Sequence, residues 1–248
     1  NYFISTLRQQ HTISSVMTIL RNTHGFDFPL KDFSAAELPP KAQIIAAAHE
    51  FVTQIKIDWT KTKVYPHDVH TYTTRQGNDF WMSRISYHTD VTFDQFKSAI
   101  LEDHTRNEVK YIPLLDSARD HEDEPDVIPE DHPDGWKAFT VHYKFPRLFS
   151  DREMAVWVLA VQPDPEIKQF IIISVPSSHA VSPHVTRAEY LAIEVVTYIE
   201  EEGHVEWIMA QTSDAKGNIP RWIQDKSVTA SVVADVPSFI DWAKKNLQ

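Results

Sequence analysis

Three early stretches with a two-residue hydrophobic period, followed by six further strand-like segments, leave little room for anything except a large antiparallel sheet. Residues 57–64, 69–74 and 80–88 alternate polar and apolar side chains, separated by Pro66 and by the hairpin-type turn Gln76-Gly77-Asn78. We also expect strands at 108–115, 136–145, 152–161, 169–175, 190–200 and 205–211. Helical spacing brackets and interrupts these strands. After Pro39-Pro40, the residues Ile44, Ile45, Ala48, Phe51, Val52 and Ile55 fall on one stripe, which predicts a helix over 42–55. Phe93, Phe96, Ile100 and Leu101 predict another over 92–101.

The chain ends in a third helical segment opened by Pro220. Trp222, Ile223, Ala230 and Val233 are expected to share its apolar face. Pro237 should kink or interrupt it, with Asp235 capping a final turn through Phe239, Ile240 and Trp242. Burying so many half-apolar strands is simplest if a bent antiparallel sheet wraps the terminal helix, an α+β architecture that leaves a cavity. Ahead of the first strong helix, residues 4–20 have helical spacing and 22–33 read as an extended strap. The segment 120–134 carries eight acidic residues and three prolines and reads as a solvated loop.

Composition narrows the functions. Twenty-four basic against 35 acidic residues give a net charge of −11, which disfavours nucleic-acid partners. At 248 residues, with 42% hydrophobic content, the chain can bury one substantial core. The absence of cysteine removes disulfides, thiolate nucleophiles and cysteine-ligated zinc, and fits a cytoplasmic protein. No apolar run approaches membrane-spanning length and the start lacks a secretory signal, so a soluble protein is expected. A first residue of Asn leads us to expect a segment of something longer. No Gly-x-Ser-x-Gly elbow and no glycine-rich phosphate loop is present, which sets aside hydrolase, kinase and dinucleotide chemistry.

The C-terminal third carries a resemblance. Glu206-Trp207-Ile208-Met209-Ala210-Gln211-Thr212-Ser213-Asp214-Ala215, then Gly217-Asn218-Ile219-Pro220-Arg221-Trp222, resembles a START-like (StAR-related) lipid-transfer domain of the Bet v 1-like helix-grip superfamily. It is most similar to a filamentous-fungal branch of uncharacterised proteins. Tyr190-Leu191-Ala192-Ile193-Glu194, Asp235-Val236-Pro237-Ser238-Phe239, Trp81 to His88, His104 to Glu108 and Pro146 to Glu153 follow in the family's order. The resemblance implies a ligand-binding domain over 38–248, with 1–37 as a separate N-terminal segment. It also implies a curved sheet around the long C-terminal helix, enclosing an apolar tunnel for one hydrophobic small molecule or lipid.

Candidate residues follow from strand phase. Arg84, Ser86 and His88 share one face of their strand, and Glu194 shares a face with Tyr190, Ala192 and Tyr198. Facing inward, Arg84 and Glu194 would have to pair and could orient a ligand; facing outward, they are solvated side chains. Trp207, Met209, Trp222 and Phe239 are expected in the core, some of them against the ligand. In START-like proteins the loop equivalent to 145–152 resembles a flap, so Phe145, Leu148 and Phe149, with Arg147 and Arg152, are candidates for transient membrane contact; the alternative is an ordinary hairpin. His67 with His70, His179 with His184 and His121 with His132 lack metal-site spacing, so no metal and no cofactor are expected. Two functions stay open: a carrier for a sterol, lipid or polyketide-like metabolite, and a cofactor-free cyclase, dehydratase or isomerase using Arg84, His88, His142 and Glu194. A protein-binding module is a third, favoured if the interior is filled.

Overall fold

The computed structural model describes residues 24–121, 135–145 and 150–247. The helix expected at 4–20, most of the acidic loop, and Leu148 and Phe149 lie outside them.

The stripe after Pro40 forms α1 (Lys41–Asp58), which runs three residues past the expected end and takes Ile57 out of the first strand. The two-residue period then gives β1 (Thr60–Tyr65), β2 (Val69–Gln76) and β3 (Asp79–His88). Gly77, with φ +58°, supplies the left-handed residue of the tight β2–β3 turn. Helix α2 (Phe93–Phe96) is opened by a reciprocal Thr92/Gln95 capping box and continues as a π turn, Lys97–Leu101. Helix α3 (His104–Glu108) follows. The rest of the sheet is β4 (Leu115–Asp120), β5 (Lys137–Tyr143), β6 (Arg152–Val161), β7 (Gln169–Pro176), the two-residue β8 (Thr186–Arg187), β9 (Glu189–Ile199) and β10 (His204–Asp214). Helix α4 (Arg221–Asn246) closes the described chain.

Strand order is β1-β2-β3-β10-β9-β7-β6-β5-β4, antiparallel throughout except for a short parallel β6–β8 pairing. Its centre is covered on both sides. On one face, Ile44, Ala48, Val52 and Ile55 of α1 join Trp81, Ile85, Ile193 and Ile208 of the sheet. The strap lies on the same side: Phe33 N–H donates to the Pro176 carbonyl, and the Trp157 indole N–H donates to the Phe33 carbonyl. On the other face, Val236, Phe239, Ile240 and Ala243 of α4 pack with Trp207, Val196, Ile172 and Phe170. Each large apolar side chain buried there contributes about 1.5–3 kcal/mol, which fixes α4 against that face.

Three local expectations are corrected. The apolar run 108–115 is the end of α3 and a turn leading into β4, because its backbone N–H groups bond locally: Tyr111 and Ile112 N–H donate to the Glu108 carbonyl and Leu115 N–H to the Ile112 carbonyl. Asp120 is buried at the end of β4, not solvated. Helix α4 runs through Pro237, and Asp235 lies inside it instead of capping a later turn; the apolar contacts of Val236, Phe239 and Ile240 outweigh the backbone hydrogen bond that proline gives up. Among the described residues no helix is long and apolar enough to cross a membrane.

Candidate functional site

The face of the sheet that α4 covers carries a row of unlike side chains. Arg84 on β3 is paired directly with Met209 on β10, and Met209 with Glu194 on β9, so the three lie side by side across adjacent strands. Arg84 is 1% exposed and Glu194 is 6% exposed. The Arg84 guanidinium lies 3.7 Å from the centroid of Trp207, and the Trp207 indole N–H donates to Glu194 Oε2 at 2.8 Å. Among the described residues, Arg84 Nε and Nη1 have no hydrogen-bond partner. Burial lowers the pKa of this guanidinium, and the fields of Glu194 and Asp235 oppose that shift. An arginine stays charged under all ordinary conditions, so the displaced hydration appears as an unrecovered cost.

Helix α3 supplies a second wall. His104 and Glu108 are four residues apart and therefore share one of its faces. His104 Nδ1 is 3.1 Å from the Ile100 carbonyl and Nε2 is 3.6 Å from Glu108 Oε2. Burial pushes the Glu108 carboxyl up to about 7, opposed by His104 and reinforced by Glu194. From α4, Asp235 is likewise raised by burial to about 7, with Arg84 opposing. Tyr111, Tyr143 and Tyr190 border the same interior, and burial raises all three phenols well above their ordinary pKa, so they stay neutral hydrogen-bonding groups. Glu108, Tyr143, Tyr190 and Asp235 are half-buried.

Of the residues singled out from sequence, Arg84, Glu194, Trp207, Met209 and Phe239 come together on this face. His88 is on it too, but wedged between Phe96 at 5.5 Å and Trp207 at 6.2 Å, with Nε2 sharing a 2.8 Å hydrogen bond with Ser86. Desolvation, with the Arg84 field, lowers His88 to about 4. His142 is on the opposite face: its β5 neighbours Phe139 and Val141 turn toward α4, and its ring lies 3.3 Å from Glu153 Oε1 and 3.4 Å from Asp151 Oδ2. It cannot reach the interior. Trp222 is 70% exposed on the first turn of α4, because the buried stripe of that helix runs through Gln224, Val232, Val236 and Phe239 instead of the expected residues. Phe145 is half-buried, 5.4 Å from the Arg152 guanidinium.

Two of the histidine pairs can be followed in the described residues. His67 has left-handed backbone at φ +64° and His70 pairs with Asp68, while His179 stacks on His121 at 4.5 Å and bonds Ser177. His132 lies outside the described residues. Sequence reasoning assigned no role to His104, Glu108, Tyr111 or Tyr143. The His104-x-x-x-Glu108 spacing was the available signal, and reading Glu108 as the start of a strand hid it.

Comparisons with known proteins agree with this geometry. A family model described as "Protein of unknown function (DUF3074)" matches residues 81–243. An uncharacterised protein of Schizosaccharomyces pombe is 29% identical over 174 residues, covering 66% of this chain and 68% of its own length. Human STARD10 is similar in structure, with a TM-score of 0.67 at 11% identity over 84% of this chain and 81% of its own. Human StAR-related lipid transfer protein 5 gives 0.66 at 13% identity, over 84% of this chain and 98% of its own. A StAR-related lipid transfer protein of Xanthomonas axonopodis gives 0.59 at 9%, over 75% and 98%. At such identities the likeness is one of fold, and the fold is the START helix grip.

Proposed function

The chain belongs to the DUF3074 family of proteins of unknown function, and on that footing we propose that it binds and carries one hydrophobic small molecule. The molecule, a sterol, a lipid or a polyketide-like metabolite, lies between the sheet and α4. One observation carries the reading: on the sheet face that α4 covers, the buried Arg84 guanidinium has two nitrogens without an acceptor among the described residues. Met82, Ala192, Met209, Val232 and Phe239 surround the proposed ligand position with apolar side chains of the kind small-molecule sites use.

The polar end of the ligand meets Arg84. A buried guanidinium with two unmatched donor atoms costs stability until something accepts from it, and a ligand carbonyl, hydroxyl or carboxyl can. The names of two structural neighbours include lipid transfer, which supports a carrier. The test uses delipidated protein titrated with a fluorescent sterol and a fluorescent fatty acid. Saturable uptake of at least one probe, one per chain, is expected, with uptake lost in Ala192→Phe while the fold is kept. No saturable uptake of either, or full uptake in Ala192→Phe, contradicts the reading.

A further inference from the structure

His104, Glu108 and Glu194 each offer one ligand atom to a common point: an imidazole nitrogen and two carboxylate oxygens, all within 4.8 Å of one another. The Ile100 carbonyl can only accept, so His104 Nδ1 carries the hydrogen in that contact, and in the neutral ring Nε2 presents a lone pair. That lone pair faces the Glu108 carboxyl at 3.6 Å, and no hydrogen bond holds that carboxyl among the described residues. Glu194 enters from the sheet, oriented by the Trp207 indole N–H. An imidazole tied to a backbone carbonyl and a carboxylate tied to a neighbouring donor are the outer contacts that orient metal ligands.

Charge favours the same occupant. Glu108, Glu194 and Asp235 lie close enough to perturb one another, and the buried Arg84 guanidinium faces Glu194 and Asp235. With all four ionised, the group has two negative charges in excess, which one dication neutralises. Tetrahedral binding at ordinary metal–ligand lengths separates ligand atoms by about 3.4 Å. The 3.6 Å between His104 and Glu108 already suits it, and a small side-chain movement of Glu194 completes it. One nitrogen with two oxygens falls short of the six to eight oxygens calcium takes and is too hard a set for copper(I).

We propose that His104 Nε2, Glu108 and Glu194 bind a divalent first-row transition metal such as zinc, manganese or iron(II), with an open coordination position toward the interior. The site requires no lipid, so it stands or falls separately from the ligand reading.

The test titrates chelator-stripped protein with Co2+, followed by visible absorption, and then adds Zn2+. One Co2+ per chain with a four- or five-coordinate spectrum, displaced by Zn2+, is expected. Glu108→Gln and His104→Gln should each weaken binding by at least about tenfold, whereas the double variant His67→Gln/His70→Gln on the exposed turn should not. Thermal melting checks that each variant folds. If His104→Gln does not, Glu108→Gln decides, since no hydrogen bond holds that carboxyl among the described residues. A spectrum that stays that of aqueous Co2+, or equal affinity in Glu108→Gln and the parent protein, overturns the proposal. The fluorescent-lipid titration reads a different event, and failure there leaves this result unchanged.

Discussion

The Arg84 guanidinium stacks on the Trp207 ring at 3.7 Å while two of its nitrogens find no acceptor among the described residues, although Glu194 is held by that same indole. Trp207 therefore stands between the two buried charges, bonded to one and stacked on the other. A structural ion pair would be closed directly. Here the indole intervenes, and Arg84 Nε and Nη1 keep no acceptor among the described residues.

Arg84→Met tests that arrangement. Replacing a buried charge by an apolar group of similar length is often neutral or stabilising by about 1–4 kcal/mol. We expect ligand-stripped Arg84→Met to be at least as stable as the parent in urea unfolding, and to retain at least about tenfold less ligand, a loss of about 1.4 kcal/mol in binding. Loss of 3 kcal/mol or more in the stripped protein, about what breaking a closed buried pair costs, would identify the arginine as structural.

Phe239 is fully buried among Phe96 at 4.8 Å, Trp207 at 5.0 Å and Tyr111 at 5.3 Å. Phe239→Ala should cost about 3–5 kcal/mol in denaturant unfolding. A cost under about 1 kcal/mol would mean that α4 is not anchored there.

His88 sets an acid limit. Its pKa is lowered from 6.5 to about 4, because burial and the Arg84 and His67 fields outweigh those of Asp90 and Asp68. Below pH 6.5 the unfolded chain takes up a proton that the folded ring refuses. The stabilising contribution is therefore present above pH 6.5 and is lost as pH falls toward 4, by roughly 3 kcal/mol in all. Urea unfolding of the parent and of His88→Gln between pH 7 and 4 should show a shallower acid decline in the variant; parallel curves contradict the assignment.

Trp222, expected from sequence to be part of the core, is a surface residue. Trp222→Glu should change unfolding free energy by no more than about 0.5 kcal/mol and leave ligand uptake intact, measured by urea unfolding and the fluorescent titration.

Much of the fold was legible because its signals are local. Two-residue alternation marked β2 and β3, apolar runs bounded by turn residues marked β6, β7, β9 and β10, and one unbroken stripe marked α1. What sequence left open was the inward direction of Arg84 and Glu194, since a strand shifted by one residue puts either on the other face. Burial of both faces of the central strands was hidden too, because α1 packs there only after the chain has travelled far from it. In α4 the proline rule misled: tertiary contacts around Val236 and Phe239 carry the helix through Pro237 and turn Asp235 inward. After α3, backbone bonds from Tyr111 and Ile112 to the Glu108 carbonyl and from Leu115 to the Ile112 carbonyl coil a stretch whose composition reads as extended.

Native mass spectrometry of the protein purified without detergent tests the central claim most directly. The account predicts a population heavier than the 28.6 kDa chain by one lipid-like molecule, released on denaturation and identifiable in the organic extract. A single species at the bare chain mass, from protein that also takes up no sterol or fatty acid when they are offered, would contradict it.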